Sequence, residues 1–347
     1  MALIKVIQKY FSNIFISIVR QNNEWVINSK VVRNGTIRDK FSENFASSNH
    51  DSVPSNMKKY LDKLQTDYNF AYITIFLDSM GQGAINGTTA TDFAKNSVDM
   101  KSVTHLSIDN SWSVYASFID LNWIKKLFKD SGIDFIYSPF MIQNNLIKKQ
   151  KLKEKPTLYL LNHNDSVTIS IFENGKLLFG AYFQTTTDHN IGEEEEDWEN
   201  ESEEEGLDDL IELDTMGDDI GGIDELDDLS ELDDLSSDEG SNSFEDISEK
   251  DTDLGHFQSD SSEEDSNLEL FGRDLLIYKY LTSSLKEFYQ NPLYKSSFIE
   301  TIVIHDGYEV SSELIEMIEN DLFMDIEMNK VNICEIVCDM SINEGLK

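Results

Sequence analysis

Apolar and polar positions follow two rhythms along the chain, and the two-residue rhythm is clearest near its middle. In TLYLLNHNDSVTISIFENGKLLFGAYF, residues 157–183, an apolar run from Leu158 to Leu161 meets a polar tip, Asn162-His163-Asn164-Asp165. Alternation follows at Val167, Ile169 and Ile171, then Asn174-Gly175, then a return from Leu177 to Phe183. Alternation flanking Asn-Gly predicts a hairpin, because a type I′ turn needs positive φ at both central residues. The same rhythm predicts an opening antiparallel meander at residues 13–19, 24–32 and 38–45, with turns at 21–23 and 33–35.

The helical rhythm appears at residues 55–65, where Met57, Tyr60, Leu61 and Leu64 share a face behind Pro54-Ser55. A buried strand is expected at 72–77 and a loop rich in Gly, Asn and Thr at 81–91. Residues 112–145 read strand, helix, strand, helix, the first helix closed by Gly132. A basic connector at 148–155 ends at Pro156 and suits a boundary between subdomains. Beyond Leu268 come a helix at 270–289, a strand at 298–304 ending in His305-Asp306-Gly307, a Ser-capped helix at 311–322, and closing strands at 323–328 and 331–338.

Charge changes the picture in one place. Of residues 191–267, 34 are Asp or Glu against a single Lys, so −33 of the formal charge of −38 sits there and only −5 on the rest. Such a composition buries too little apolar surface to offset chain entropy, which predicts a disordered acidic insert over 189–267. Leu226, Leu229, Leu232 and Leu235 recur at every third position within it and are candidates to fold against a partner groove. Excision of residues 192–266 is expected to leave the fold intact. No basic face for nucleic acid is apparent. The two cysteines, Cys334 and Cys338, have no zinc-site partners and read as reduced thiols in a reducing compartment. The first 19 residues are broken by Lys5, Gln8, Lys9, Ser12 and Asn13, and no run approaches a membrane span, so a cytoplasmic chain is expected.

The order of elements resembles the actin-like ATPase (ribonuclease H-like) α/β fold, and within it the PilM-type protein of type IV pilus assembly platforms and the related cytoplasmic domain of GspL. The resemblance rests on the opening meander, on WSVYASFIDLNWIKKLFKDSGIDFIYSPFMI, on LYLLNHNDSVTISIFENGKLLFGAYF, and on the helix–strand–helix–strand succession after Leu268. It implies two lobes: first-lobe meander and helix at 1–70, an inserted small subdomain and return at 71–148, the second meander at 156–188, the insert at 189–267, and the second-lobe remainder at 268–347.

Nucleotide-binding relatives hold phosphates on two hairpin tips carrying Asp-x-Gly, where Gly lets backbone amides approach and Asp positions the magnesium shell. Here the tips are SIVRQNNE and LNHNDS, and the adenosine-side tip is IHDGYEV with only Gly307. His163, Asp165, Asp306 and Gly307 are therefore candidates for a vestigial cleft, and no cofactor or metal is expected. The resemblance implies a non-catalytic scaffold, forming a ring-like homo-oligomer in its assembly and peripheral to the inner membrane. Its partner would be the cytoplasmic N-terminal segment of a PilN-like single-span protein, in a pilus, a type II-like secretion or DNA-uptake apparatus, or a flagellar motor. Candidate groove residues are Trp112, Tyr115, Trp123 and Tyr137. The alternative is a divergent actin-like or sugar-kinase-like ATPase using ATP with magnesium, with Asp165 beside His163 or Asp306.

Overall fold

The computed structural model describes residues 10–21, 23–47, 52–185 and 261–346, giving only the backbone course over 261–269. The expectations for Leu226, Leu229, Leu232 and Leu235, and for all of the acidic tract up to residue 260, lie outside the described residues. In chain order the strands of the first half are β1 (Asn13–Gln21), β2 (Glu24–Arg33), β3 (Thr36–Ala46), β4 (Phe70–Phe76), β5 (Gln82–Ile85), β6 (Val103–Ile108), β7 (Trp112–Ser117) and β8 (Phe135–Tyr137). Helices α1 (Ser55–Asp67), α2 (Ala90–Lys95), α3 (Phe118–Leu127) and α4 (Pro139–Lys149) lie among or after them. The second half holds β9 (Thr157–Asn162), β10 (Ser166–Glu173), β11 (Lys176–Gln184), α5 (Ser261–Gln290), β12 (Thr301–Asp306), α6 (Ser312–Leu322), β13 (Asp325–Lys330) and α7 (Ile333–Gly345).

The predicted meanders each seed a five-stranded sheet. The first has order β3-β2-β1-β4-β8 and the second β11-β10-β9-β12-β13. In each, two antiparallel pairings are followed by parallel additions: β4 on β1 and β8 on β4, then β12 on β9 and β13 on β12. The same mixed sheet built twice, with helices as the parallel crossovers, is the ribonuclease H-like unit duplicated, the actin-like architecture expected from the order of elements. At the central turn Asn174 (φ 50°) and Gly175 (φ 73°) both take the left-handed conformation that a type I′ turn requires.

Apolar runs become strands buried on both faces. Ile14, Ile16 and Ile18 of β1 pack on Met57, Leu61 and Leu64 of α1. In the second lobe Leu158, Leu160 and Ile169 pack on Ile277, Leu281 and Phe288 of α5. A third cluster joins the lobes, with Val19, Phe76 and Leu161 from strand ends meeting Ile142 of α4 and Ile333 and Val337 of α7.

Four expectations are corrected. The segment 81–91 is not a loop throughout: it contains β5 and opens α2, whose Thr89 and Asp92 form a capping box. The inserted subdomain is the three-stranded sheet β5-β7-β6, while β4 and β8 belong to the first-lobe sheet. Residues 331–338 form no closing strand but enter α7, because Ile333, Cys334, Val337, Cys338 and Ser341 fall on one helical face and Asn332 caps its start. That helix returns to the first lobe, where Ser17 Oγ donates to Cys334 O at 2.7 Å. Finally, α5 begins at Ser261, so the helix reaches back into the stretch assigned to the acidic insert.

Candidate functional site

The tips of β1–β2 and β9–β10 lie near one another, Arg20 within electrostatic reach of Asp165, and residues of the two lobes engage directly there. Asp78, just past β4, accepts hydrogen bonds from Ser166 Oγ at 2.7 Å and from Tyr182 OH, both on the second lobe. His163 Nδ1 stands 3.5 Å from Asp78 Oδ2, an electrostatic contact, with its ring against Phe76. Burial alone would raise the Asp78 pKa, but His163, Tyr182 and Ser166 together hold it below the usual carboxylate range. Burial, and next the neighbouring charge of Asp78, push the Asp165 carboxyl up, opposed in part by Arg20.

The second tip is held from behind by Arg273 of α5. Its Nε donates to Asn164 O at 3.0 Å and its Nη2 to His163 O and Asn162 Oδ1, while the guanidinium lies 5.0 Å from the Tyr308 ring centroid. Asn162 Nδ2 in turn donates to Asp306 Oδ1 at 2.8 Å. Gly307 N donates to Asn162 O at 2.9 Å, and a Cβ at Gly307 would stand 2.7 Å from Ile333 Cδ1 and 2.9 Å from Asn162 O. This glycine permits close packing of strand and helix.

All four candidates from the sequence thus gather around the second tip, where Asp306 and Gly307 bond to Asn162, while neither ring nitrogen of the buried His163 has a hydrogen-bond partner among the described residues. A triphosphate with its metal fits this arrangement poorly: the tips carry Asn and His where amides would need glycine to reach a phosphate, and Arg273 binds tip carbonyls. Among the described residues no cluster of His, Cys, Asp or Glu is arranged to hold a metal ion. Sequence reasoning missed Asp78 and Arg273. Asp78 carried a signal, since it ends a buried strand that pairs in parallel, where ligand-facing groups collect in α/β sheets; Arg273 lies in an amphipathic helix and carried none.

A groove of about 390 Å³ opens between the inserted sheet and the first-lobe sheet. Thr104, His105 and Leu106 of β6 line one side and Phe135, Ile136 and Tyr137 of β8 the other. Both are edge strands, so each has a ladder side that no described strand takes up. The groove is largely apolar with two carboxylates, Asp134 and Glu344. Asp134 Oδ2 accepts from Ile73 N at 2.8 Å, and burial raises its pKa. Burial, with the charge of Glu344 second, pushes the Tyr137 hydroxyl up to about 12.

Of the predicted groove residues, Tyr115 and Tyr137 line it. Trp112 does not: it is wholly buried, edge-on to Phe172, because its side of β7 packs on the second lobe. Trp123 is exposed on α3 and lies outside the groove lining.

The duplicated sheets with their paired hairpin tips place the chain in the actin-like fold class. It belongs to the family described as Domain of unknown function (DUF8341), which matches residues 158–345. A second family, Domain of unknown function (DUF8569), matches residues 11–144, so the two matches meet across the basic connector. No curated protein matches the chain. Among solved structures it is similar to the PilM-PilN type IV pilus biogenesis complex, at 9% identity and TM-score 0.47, covering 97% of this chain and 99% of that one. A Bacteroides thetaiotaomicron protein with actin-like ATPase fold and unknown function aligns at 10% identity and TM-score 0.46, covering 96% and 97%. The ethanolamine utilization protein EutJ of Carboxydothermus hydrogenoformans aligns at 7% identity and TM-score 0.41, covering 94% and 88%.

Proposed function

We propose that this protein is a non-catalytic scaffold that holds an extended segment of a membrane-anchored partner in the groove between β6 and β8. The observation that carries the reading is the pairing of two edge strands across an apolar groove. An extended peptide laid there finds backbone partners on either side and pockets for alternate side chains. Asp134 and Glu344 favour a segment that also carries a basic residue. The second tip supports the same reading from the other side, since Asp78 accepts from Ser166 and Tyr182 of the second lobe and Arg273 holds the carbonyls of His163 and Asn164. No described helix is long and apolar enough to cross a membrane. In this reading the protein works on the cytoplasmic side and a PilN-like single-span protein supplies the anchor, within a pilus, secretion or flagellar assembly.

The test places a photo-crosslinking amino acid at Tyr115 in cells and identifies the adduct by mass spectrometry. The expected product joins Tyr115 to the N-terminal segment of a single-span membrane protein. An adduct only with soluble proteins would end the partner assignment. A rise in melting temperature with magnesium-ATP, as mass action demands of a ligand of the folded state, would end the non-catalytic reading.

A further inference from the structure

The inserted sheet feeds directly into α3, and this helix faces outward with the wrong chemistry for plain solvent. Phe118, Ile119 and Trp123 are 44%, 79% and 42% exposed, and Met80 beside them is 59% exposed. Met80 is held there because Ser117 N donates to Gly81 O at 2.6 Å and Asp120 Oδ2 accepts from Ser79 Oγ and Gly81 N. The same helical arc carries Lys125 and Lys126, with Lys129 just beyond. None of these lysines forms an ion pair with a described residue. Asp120, the helix's only acidic residue, is turned to the Met80 loop, so the outer arc is cationic and apolar.

We infer that the outer face of α3, with Met80, is a contact surface for an anionic membrane. Trp, Phe, Ile and Met set side by side with lysines is the pattern of a helix lying in the headgroup region, where the apolar side chains reach the acyl boundary and the lysine ammonium groups reach phosphates. The complementarity is double, apolar to acyl chain and cation to headgroup, and the face is the convex side of a single helix. The chain's overall negative charge does not forbid the contact, because charges more than about 10 Å away are largely screened at 0.1 M salt. Leu121 of the same helix lines the groove, so a segment running from a bilayer into the groove and this face against headgroups are compatible. The inference stands on the helix face alone, whatever occupies the groove.

The test is flotation of the full chain with partner-free vesicles of equimolar phosphatidylethanolamine and phosphatidylglycerol, beside vesicles of phosphatidylcholine alone. The chain is expected to float with the anionic vesicles, less as salt rises. Ile119→Asp with Trp123→Asp is expected to lower binding about tenfold or more. Lys125→Gln, Lys126→Gln and Lys129→Gln are each expected to weaken it about fivefold. The difference in emission between the parent chain and Trp123→Phe should shift to the blue on adding anionic vesicles. No flotation at low salt, or flotation unchanged in the lysine variants and in a folded Asp variant, overturns the inference. So does capture by these residues of an acidic leucine-bearing peptide, such as residues 223–236 made synthetically, without vesicle binding. The groove is untouched by these variants, so crosslinking at Tyr115 succeeds or fails independently.

Discussion

Asp78, at the end of a first-lobe strand, accepts a 2.7 Å hydrogen bond from Ser166 of the second lobe, 88 residues away in sequence. With Tyr182 on the same oxygen, one carboxylate ties the lobes together. In Asp78→Ala two buried hydroxyls lose their acceptor, which should cost about 2–4 kcal/mol in urea unfolding. The pH dependence follows from the depressed folded pKa. The unfolded chain binds the proton more readily, so the contribution is complete above the unfolded value of about 3.9 and is lost as pH falls through the folded value. Asp78→Asn should flatten stability in that acid window; a variant as stable as the parent with the same acid limb would remove the tie.

Lys30 tests the return of the C-terminal helix. Its ammonium is almost wholly buried and lies 2.6 Å from Asp339 and 3.0 Å from Glu335, both partly exposed. Burial lowers its pKa, but the two carboxylates outweigh it and the net shift is upward. Asp339→Ala should cost about 1–2 kcal/mol, less than for a fully buried pair because water screens the carboxylates, whereas Lys30→Met should be nearly neutral. Because the folded pKa is raised, the contribution is complete below the unfolded value of about 10.4 and disappears as pH climbs through the folded one. Alkaline melts of Lys30→Met beside the parent read this directly.

His305 of β12 is buried against Tyr159, and burial lowers its pKa to about 4. The neutral ring is favoured in the fold, so stability is complete above the unfolded value of about 6.5 and declines as pH falls toward the folded one, by about 3 kcal/mol at most. His305→Gln should remove that slope. Equal slopes in parent and variant between those pH values would assign the acid sensitivity elsewhere.

Gly175 sits at φ 73° in the central hairpin, with room for a methyl group, since a Cβ there would meet only Leu152 at 3.4 Å. Gly175→Ala should therefore cost about 1 kcal/mol from backbone strain alone. A thermal melt checks it, and an unchanged midpoint would mean the turn relaxes to another type.

The sequence by itself determined the two meanders, the Asn174-Gly175 turn, the Ser311 cap and the apolar strands, because periodicity and turn chemistry act over a few residues and declare themselves locally. Through the resemblance it also named His163, Asp165, Asp306 and Gly307 as candidates at strand tips that lack Asp-x-Gly. Only the tertiary structure decided that Trp112 is core while Trp123 is surface, since both lie in similar alternating or amphipathic text and differ in what is folded against them. It alone set Asp78 against Ser166 and Tyr182, Arg273 behind the second tip, and the last helix against the first strand. Those contacts join residues 88 to 317 positions apart, and which partner arrives there depends on the pairing of whole sheets, a quantity no local pattern encodes.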